Sequence, residues 1–236
     1  MNAETVATKK DPLLERLQLL ESGQVSDVLD EAGLPNHALS SHITPIIQGQ
    51  RIVGRAACVA GDALLPTVDS PPPLPGDTLE QVVGPNSILV IATGGFRGGA
   101  CIGGFVAYSL QREGCRGMIT DGAIRDADEI RSLAFPVYAA AVTPINAARR
   151  WRLVAMNSEV LLPGAAGNSV RIKPGDLILG DADGVVVVPA EVAEQVVGDA
   201  EELKQIETRI AEALRAGGSR AEVFKANPRF AHIRKA

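Results

Sequence analysis

Between residues 87 and 141, short apolar runs alternate with helical segments across glycine-dense turns. This alternation restricts what the chain can fold into more than any other feature. Ser87 to Ala92, SILVIA, is a continuous apolar run of strand length, the pattern of a strand buried on both faces. A turn holding Gly94, Gly95, Gly98, Gly99, Gly103 and Gly104 follows it, and then a helix predicted over residues 105–112 that stops at Gly114. Residues 117–120 read as the next strand, ending at Asp121-Gly122. Residues 126–133 read as a second helix and residues 136–141 as a third strand. Strand, helix, strand, helix, strand is the order of a parallel α/β unit.

The flanks are of different texture. Residues 1–10 read as a loose arm. Asp11-Pro12 opens a helix with a capping carboxylate and a first-turn proline. Its apolar stripe is Leu13, Leu14, Leu17, Leu19 and Leu20, and Gly23 stops it. Ser26 starts a second short helix that ends at Gly33. Residues 51–60 form a strand. The Pro-rich stretch 67–77 is neither helix nor central strand, and serves either as a rigid connector or as a mobile lid. Residues 153–188 carry short apolar runs split by Pro163-Gly164, Pro174-Gly175 and Asp183-Gly184, the signature of strands and hairpins. Pro189 opens a long helix with Val192, Val196, Leu203, Ile210 and Leu214 on one side. It ends at Gly217-Gly218, and a polar, basic tail follows. The expected divisions are an N-terminal arm and helix (1–25), an α/β domain (26–197), and a C-terminal helix and tail (198–236). The terminal helix packs either on its own domain or on a neighbouring subunit.

Composition narrows the function. Aromatics are only 3%, so the core must be built from Val, Ile, Leu and Ala. A net charge of -5 argues against a nucleic-acid binder, which presents a basic face. Cys58, Cys101 and Cys115 are odd in number and lack metal-type spacing. They therefore suggest a reducing compartment, with Cys101 and Cys115 as small buried apolar residues. The N-terminus lacks the apolar core of a signal peptide, and no run is long and apolar enough to span a membrane. A cytoplasmic protein is expected.

Two places could carry chemistry. The first is Arg125-Asp126 with Glu129. Ligands of α/β sheets bind outside the carboxyl ends of the strands, where this segment falls. Arg125 presents a planar fork of donors suited to a carboxylate. Asp126 is a hard oxygen ligand suited to Mg²⁺ or Mn²⁺. Glu129, three residues on, shares a helix face with Asp126, whereas Asp128 points elsewhere. The structural alternative is a helix start with acidic residues at the positive end of the dipole. The second place is Gly103-Gly104-Phe105-Val106, a helix start whose bare N–H groups could take an anion. Without a following Gly-Lys-Ser/Thr or a dinucleotide fingerprint, that anion is a carboxylate rather than a nucleotide phosphate. His37, His42 and His232 lack ligand spacing, and no serine sits in a nucleophile elbow. Asp181 and Asp183 flank a turn. Trp151, among Arg149, Arg150 and Arg152, is expected to be a surface or interface anchor.

Taken together, Gly103-Gly104, Gly114…Gly117, Asp121-Gly122-Ala123-Ile124-Arg125-Asp126…Glu129-Ile130 and Pro136-Val137 resemble the RraA-like / 4-hydroxy-4-methyl-2-oxoglutarate aldolase family. Pro174-Gly175-Asp176 and Asp181-Ala182-Asp183-Gly184-Val185 extend the resemblance to about residue 197. It implies a β/β/α swivelling-type α/β domain with a C-terminal helical arm, assembled as trimers or hexamers with sites between subunits. It also implies a divalent-metal-dependent aldolase that releases pyruvate from a 4-hydroxy-2-oxo acid and decarboxylates oxaloacetate. Many such aldolases carry an acidic residue where this chain has Gly104. A variant has glycine there and an acidic residue at the position of Glu129. By resemblance to that variant, Asp126 is a metal ligand, directly or through water, and Glu129 replaces the missing carboxylate. Arg125 would bind substrate and stabilise the developing enolate, and the N–H groups after Gly103 would hold the substrate carboxylate. The cofactor would be Mg²⁺, Mn²⁺ or another divalent ion, and the partner a small 2-oxo acid, with neither nucleic acid nor membrane. The family also holds ribonuclease inhibitors, so a non-catalytic regulator is the rival expectation. A related lyase with an unusual substrate is a third, since Pro71-Pro72-Pro73 and the arginines around Trp151 depart from a typical member.

Overall fold

The structure, a computed structural model, describes residues 10–64 and 74–236. Residues 1–9 of the expected arm and 67–73 of the Pro-rich stretch lie outside them. In chain order the first elements are α1 (Pro12–Leu17), α2 (Ser22–Glu31), β1 (Thr44–Pro45), β2 (Ile52–Ala63), α3 (Thr78–Val82) and β3 (Ser87–Ala92). Then come β4 (Ala100–Ile102), α4 (Gly104–Arg112), β5 (Met118–Ile124), α5 (Ala127–Ser132) and β6 (Val137–Val142). The second half contains β7 (Trp151–Met156), β8 (Val160–Pro163), β9 (Ser169–Ile172), β10 (Leu177–Gly180) and β11 (Val185–Val188). A helical turn leads from β11 into α6 (Ala193–Arg215), and α7 (Arg220–Ala226) follows.

The apolar run of β3 lies mid-sheet, as a strand with no polar face must. The nine-stranded sheet runs β1-β6-β5-β3-β2-β10-β11, with β4 beside β5 and β7 beside β2. The pairs β2–β3, β3–β5, β4–β5 and β5–β6 are parallel, so the expected α/β unit is present. Alternate β3 residues serve opposite layers. Ile88 and Val90 pack with Val160, Leu162, Val170 and Ile172 of the separate β8–β9 hairpin. Leu89 and Ile91 pack with Leu79, Ala107, Leu110 and Ile130 of α3, α4 and α5. Farther along the sheet, Leu177, Leu179, Val186 and Val188 meet α1, α2 and α6. Among the described residues no helix is long and apolar enough to cross a membrane.

Several local expectations need correction. α1 stops at Leu17, and Leu19 leaves the stripe at 62% exposure. α2 begins at Ser22 rather than Ser26, with Gly23 inside its first turn. β2 continues past residue 60 to Ala63, through an irregularity where its partner changes from β3 to β7. Trp151 is no surface anchor: it is 6% exposed and belongs to the cluster under α3–α5. Within the tail α7 forms, and Phe230 and Ile233 pack against the α1–α2–α6 cluster. Arg229 ties to Asp27 at 2.6 Å and Arg234 to buried Asp199 at 2.8 Å, fastening the tail to α2 and α6 of its own chain.

The early start of α2 has a specific cause. Asp181, 5% exposed, accepts the Ser22 N–H at 2.7 Å, the Ser22 hydroxyl at 2.6 Å and the Asp183 N–H at 3.0 Å. Burial alone would raise this carboxyl. The donors of Ser22 and Asp183, with the nearby Arg51 charge, outweigh it and hold the group below its ordinary 3.8. A depressed folded-state value contributes stability above the unfolded carboxyl's range, and that contribution is lost as pH falls through the folded value. We therefore expect Asp181→Ala to cost about 2–4 kcal/mol by orphaning its donors. That corresponds to roughly 5–15 °C in Tm for a chain of this size. Thermal unfolding followed at neutral pH and again below the carboxylate range should show the gap between variant and parent closing in acid. A gap unchanged by acid would exclude this role.

Candidate active site at the carboxyl ends of the parallel strands

β5 is buried at all seven positions, yet Asp121 lies in the middle of it. Asp121 is 3% exposed and meets donors rather than a cation. The Thr93 N–H lies at 2.6 Å, the Thr93 hydroxyl at 2.8 Å and the Gly95 N–H at 2.7 Å. A buried carboxylate satisfied in this way fixes the loop that supplies the donors. Here that is the glycine-rich loop after β3. The strand does not stop at Thr120 as expected but runs to Ile124, with a register shift between Thr120 and Ala123. Within the glycine-dense stretch, the short strand β4, which sequence reading missed, pairs with this extension. The available signal was the aspartate itself, set within the apolar run MITDGAI.

β5 delivers the chain to Arg125 and Asp126. Asp126 occupies the N-cap position of α5 in the left-handed region, φ 56° and ψ 40°, and its side chain makes no capping bond to its own helix. Instead one carboxylate oxygen, Oδ2, accepts the N–H of Gly104, the first residue of α4, at 3.1 Å. Arg125 Nε lies 3.5 Å from the same oxygen. Asp126 thus stands at the helix start, with Asp128 and Glu129 in the first turn, but its carboxylate links two helices instead of capping its own.

Gly103 and Gly104 are where the three side chains converge. A Cβ at Gly103 would stand 2.6 Å from Asp126 Oδ2 and 2.9 Å from Arg125 Nε. A Cβ at Gly104 would stand 2.1 Å from Glu129 Oε2. The space a side chain would occupy at Gly104 is filled by the Glu129 carboxylate. The Gly104 N–H is taken by Asp126, so the first-turn donors left for an anion are those of Phe105 and Val106. Phe105 is 82% exposed and Val106 half-buried. Asp128 pairs with Arg131 at 2.6 Å.

Asp126, Asp128 and Glu129 line an open cleft of about 620 Å³ together with Arg131, Val142, Thr143 and Pro144. A hollow of about 670 Å³ at the amino ends of the strands, lined by Gln18, Leu19, Arg51 and Arg116 among others, contains no carboxylate. The carboxylate cleft is therefore the better candidate despite its slightly smaller size. Among the described residues no three His, Cys, Asp or Glu side chains group as a metal cage. Two hard carboxylates suit Mg²⁺, which keeps several waters and takes one or two protein carboxylates. The Gly104 cradle gives Glu129 room to serve as one of them. No histidine or thiol is among the described residues lining this cleft. His232 Nε2 meets the Asp199 carbonyl at 2.9 Å, and burial pushes His37 down and the Cys58 and Cys101 thiols up to about 12 and 11.

Asp121→Asn should loosen the loop without unfolding the sheet, because an amide NH₂ would then face an N–H or O–H donor. The expected cost is about 1–3 kcal/mol. It should be accompanied by faster hydrogen exchange at Gly95 than at the β3 amides, and equal protection of the two would sink the assignment.

The family model described as RraA-like, Aldolase/RraA, matches residues 22–187. A protein of Halalkalibacterium halodurans, provisionally named 4-hydroxy-4-methyl-2-oxoglutarate aldolase, is 35% identical over 175 residues, which are 73% of this chain and 74% of that protein. An uncharacterized protein of Methanocaldococcus jannaschii is 34% identical over 122 residues, 52% of this chain. Protein DlpA of Legionella pneumophila is 28% identical over 213 residues, 88% of this chain. The matched part spans 56% of the former relative's length and 32% of the latter's. Among solved structures, an uncharacterized protein from Pseudomonas syringae aligns with TM-score 0.76 at 27% identity, covering 90% of this chain and 96% of that one. Streptomyces coelicolor RraAS2, described as an unusual member of the RNase ES inhibitor RraA protein family, aligns with TM-score 0.70 at 26% identity, covering 84% and 96%.

Proposed function

The chain belongs to the RraA-like family, and from that premise we propose that it is a divalent-metal-dependent lyase. It cleaves a 4-hydroxy-2-oxo acid to pyruvate and decarboxylates oxaloacetate. The observation that carries this reading is the Glu129 carboxylate seated on bare Gly104, beside Asp126 and Arg125. Two carboxylates and a guanidinium gathered on a glycine pair make a set that can hold a divalent ion and an oxyanion together. The name of the Halalkalibacterium relative points the same way.

Asp126 and Glu129 would hold the ion, which when bound supplies Lewis-acid polarisation of the 2-oxo group. The remaining work falls to the chain. The Phe105 and Val106 N–H groups, at the positive end of α4, bind the substrate carboxylate. Arg125 directs its fork at the C2 oxygen and stabilises the negative charge that develops there as the carbon–carbon bond breaks. The described lining of the cleft has no His or Lys, so the proton that completes pyruvate comes from water. Phe105 and Tyr108 of α4, Val142 at the end of β6 and Ile145 just beyond it leave large apolar side chains exposed, as subunit contacts do, and we read the assembly as a trimer or hexamer acting in the cytoplasm. The rival, a regulator that binds a ribonuclease, draws its support from the likeness to RraAS2.

Pyruvate release from oxaloacetate and from 4-hydroxy-4-methyl-2-oxoglutarate tests the proposal. Activity should vanish in EDTA and return with Mg²⁺ or Mn²⁺. Arg125→Ala and Asp126→Ala should each lower kcat/KM by about 100-fold or more. Gly104→Ala should lower activity while shifting Tm by only a few degrees, because the added methyl meets the flexible end of Glu129. Activity that survives both EDTA and Asp126→Ala would overturn the metal role. Tight ribonuclease binding without turnover of any 2-oxo acid would overturn the lyase.

A further inference from the structure

β5 changes neighbours just before it reaches the candidate site. Met118, Ile119 and Thr120 pair with Leu89, Val90 and Ile91 of β3, and from Ala123 the strand pairs with β4 instead. The changeover falls on Asp121-Gly122, and the register slips on both sides of it. Against β6, Thr120 faces Ala139 and Ala123 faces Ala141, so β5 carries one residue more than its neighbour. Against β4, Ala100 faces Ala123 and Ile102 faces Ile124, so there the extra residue is Cys101. Extra residues of this kind bend a strand and re-aim the side chains beyond it.

One side-chain oxygen joins the two slips. Thr120 is 0% exposed, and its Oγ1 accepts the Gly122 N–H at 3.0 Å and the Cys101 thiol at 3.7 Å. Gly122 is buried and falls in the gap between the paired residues, so Thr120 supplies the acceptor its N–H needs. A Cβ on Gly122 would stand 2.7 Å from Thr93 Cγ2, so the glycine lets Thr93 close over the slip. Burial pushes the Cys101 thiol up to about 11, which keeps its proton in place for the contact with Thr120.

Beyond the slip, β4 and β5 run out side by side into the site. The Arg125 N–H donates to the Ile102 carbonyl at 3.1 Å, and the Thr143 N–H to the Ile124 carbonyl at 2.9 Å. Gly103 follows Ile102, and Arg125-Asp126 follow Ile124. The alignment of these two ends therefore decides which N–H the Asp126 carboxylate meets, and it meets that of Gly104 at 3.1 Å. A strand moved by one residue turns each side chain to the opposite face. Thr120 is not among the residues lining the cleft, so its contribution is alignment rather than contact.

We propose that Thr120 is a positioning residue, whose hydroxyl oxygen pins β5 to β4 across the double slip and thereby sets Arg125 and Asp126 against Gly103-Gly104. The placement of Asp126 is a claim about the fold; its effect on turnover rests on the proposed function.

The full chain is compared with Thr120→Val and Thr120→Ser. Valine keeps the branched shape and suits a strand, so the sheet stays folded while the acceptor is lost. Serine keeps the oxygen. Amide hydrogen exchange without metal is read at Gly104, with Val90 and Ile91 of β3 as reference. The valine variant should exchange about tenfold or more faster at Gly104, the weight of one hydrogen bond, with the β3 amides unchanged. The serine variant should match the parent. With Mg²⁺ and oxaloacetate, valine should lower kcat/KM by about tenfold or more, and serine should restore it. Exchange at Gly104 that is unchanged, or that rises in step with β3, would overturn the placement, as would a serine variant that behaves like valine. Faster Gly104 exchange in a protein that turns over no 2-oxo acid would support the placement and sink the lyase. Faster exchange with turnover equal to the parent's would support the placement and remove Asp126 from the reaction.

Discussion

β3 and β5 have almost no side chain that tolerates water, and they lie next to each other in the sheet. Such strands are stable only if both faces are covered, and each cover has to come from a different stretch of chain. α3, α4 and α5 close one face, and the β8–β9 hairpin closes the other. The parallel connections then follow, because each strand must be reached again from the far edge through a helix. They leave the turns between strand and helix together at the carboxyl ends. The candidate site occupies those turns, so its location is a consequence of how the centre of the sheet is buried.

Within that location the arrangement of the candidate site depends on an absence. Gly103 and Gly104 contribute no side chain, and Arg125, Asp126 and Glu129 come in from β5 and α5 to occupy the vacated space. The arrangement holds Asp126 in a left-handed conformation that costs a non-glycine residue about 1–2 kcal/mol. The hydrogen bond from the Gly104 N–H offsets part of this cost and fixes the carboxylate between two helices. A strained aspartate that leaves its own helix uncapped to reach a neighbouring one is a positional device, and it brings the guanidinium of Arg125 to the same oxygen. Asp121 acts in the layer below, holding the loop after β3 so that the rim of the cleft keeps its shape.

The two ends of the chain close the rest of the sheet. Asp181 reaches across 159 positions to start α2, and Arg229 and Arg234 draw the tail back over α2 and α6. Polar contacts of this kind bring little net energy where they are exposed. Where the carboxylate is buried, as at Asp181 and Asp199, removing one partner orphans the other, and they then set which helices meet.

The sequence by itself determined the α/β class, the central strand Ser87–Ala92, the helices after the glycine turns, and two separate candidate places, Gly103-Gly104 and Arg125-Asp126 with Glu129, which family resemblance joined. Burial on both faces, helical period and turn chemistry are local properties, and a single stretch of residues displays them. Only the tertiary structure decided the start of α2 at Ser22, the burial of Trp151, strand β4 within a glycine-rich stretch, and the continuation of β5 beyond Thr120. It also decided where the Asp126 carboxylate goes. The spacing of Asp126 and Glu129 is compatible with a helix cap and with a convergent site alike. The choice turns on one backbone angle and on the approach of α4, which lies more than twenty residues earlier in the chain. Contacts of that range depend on how the layers pack, and no local pattern records them.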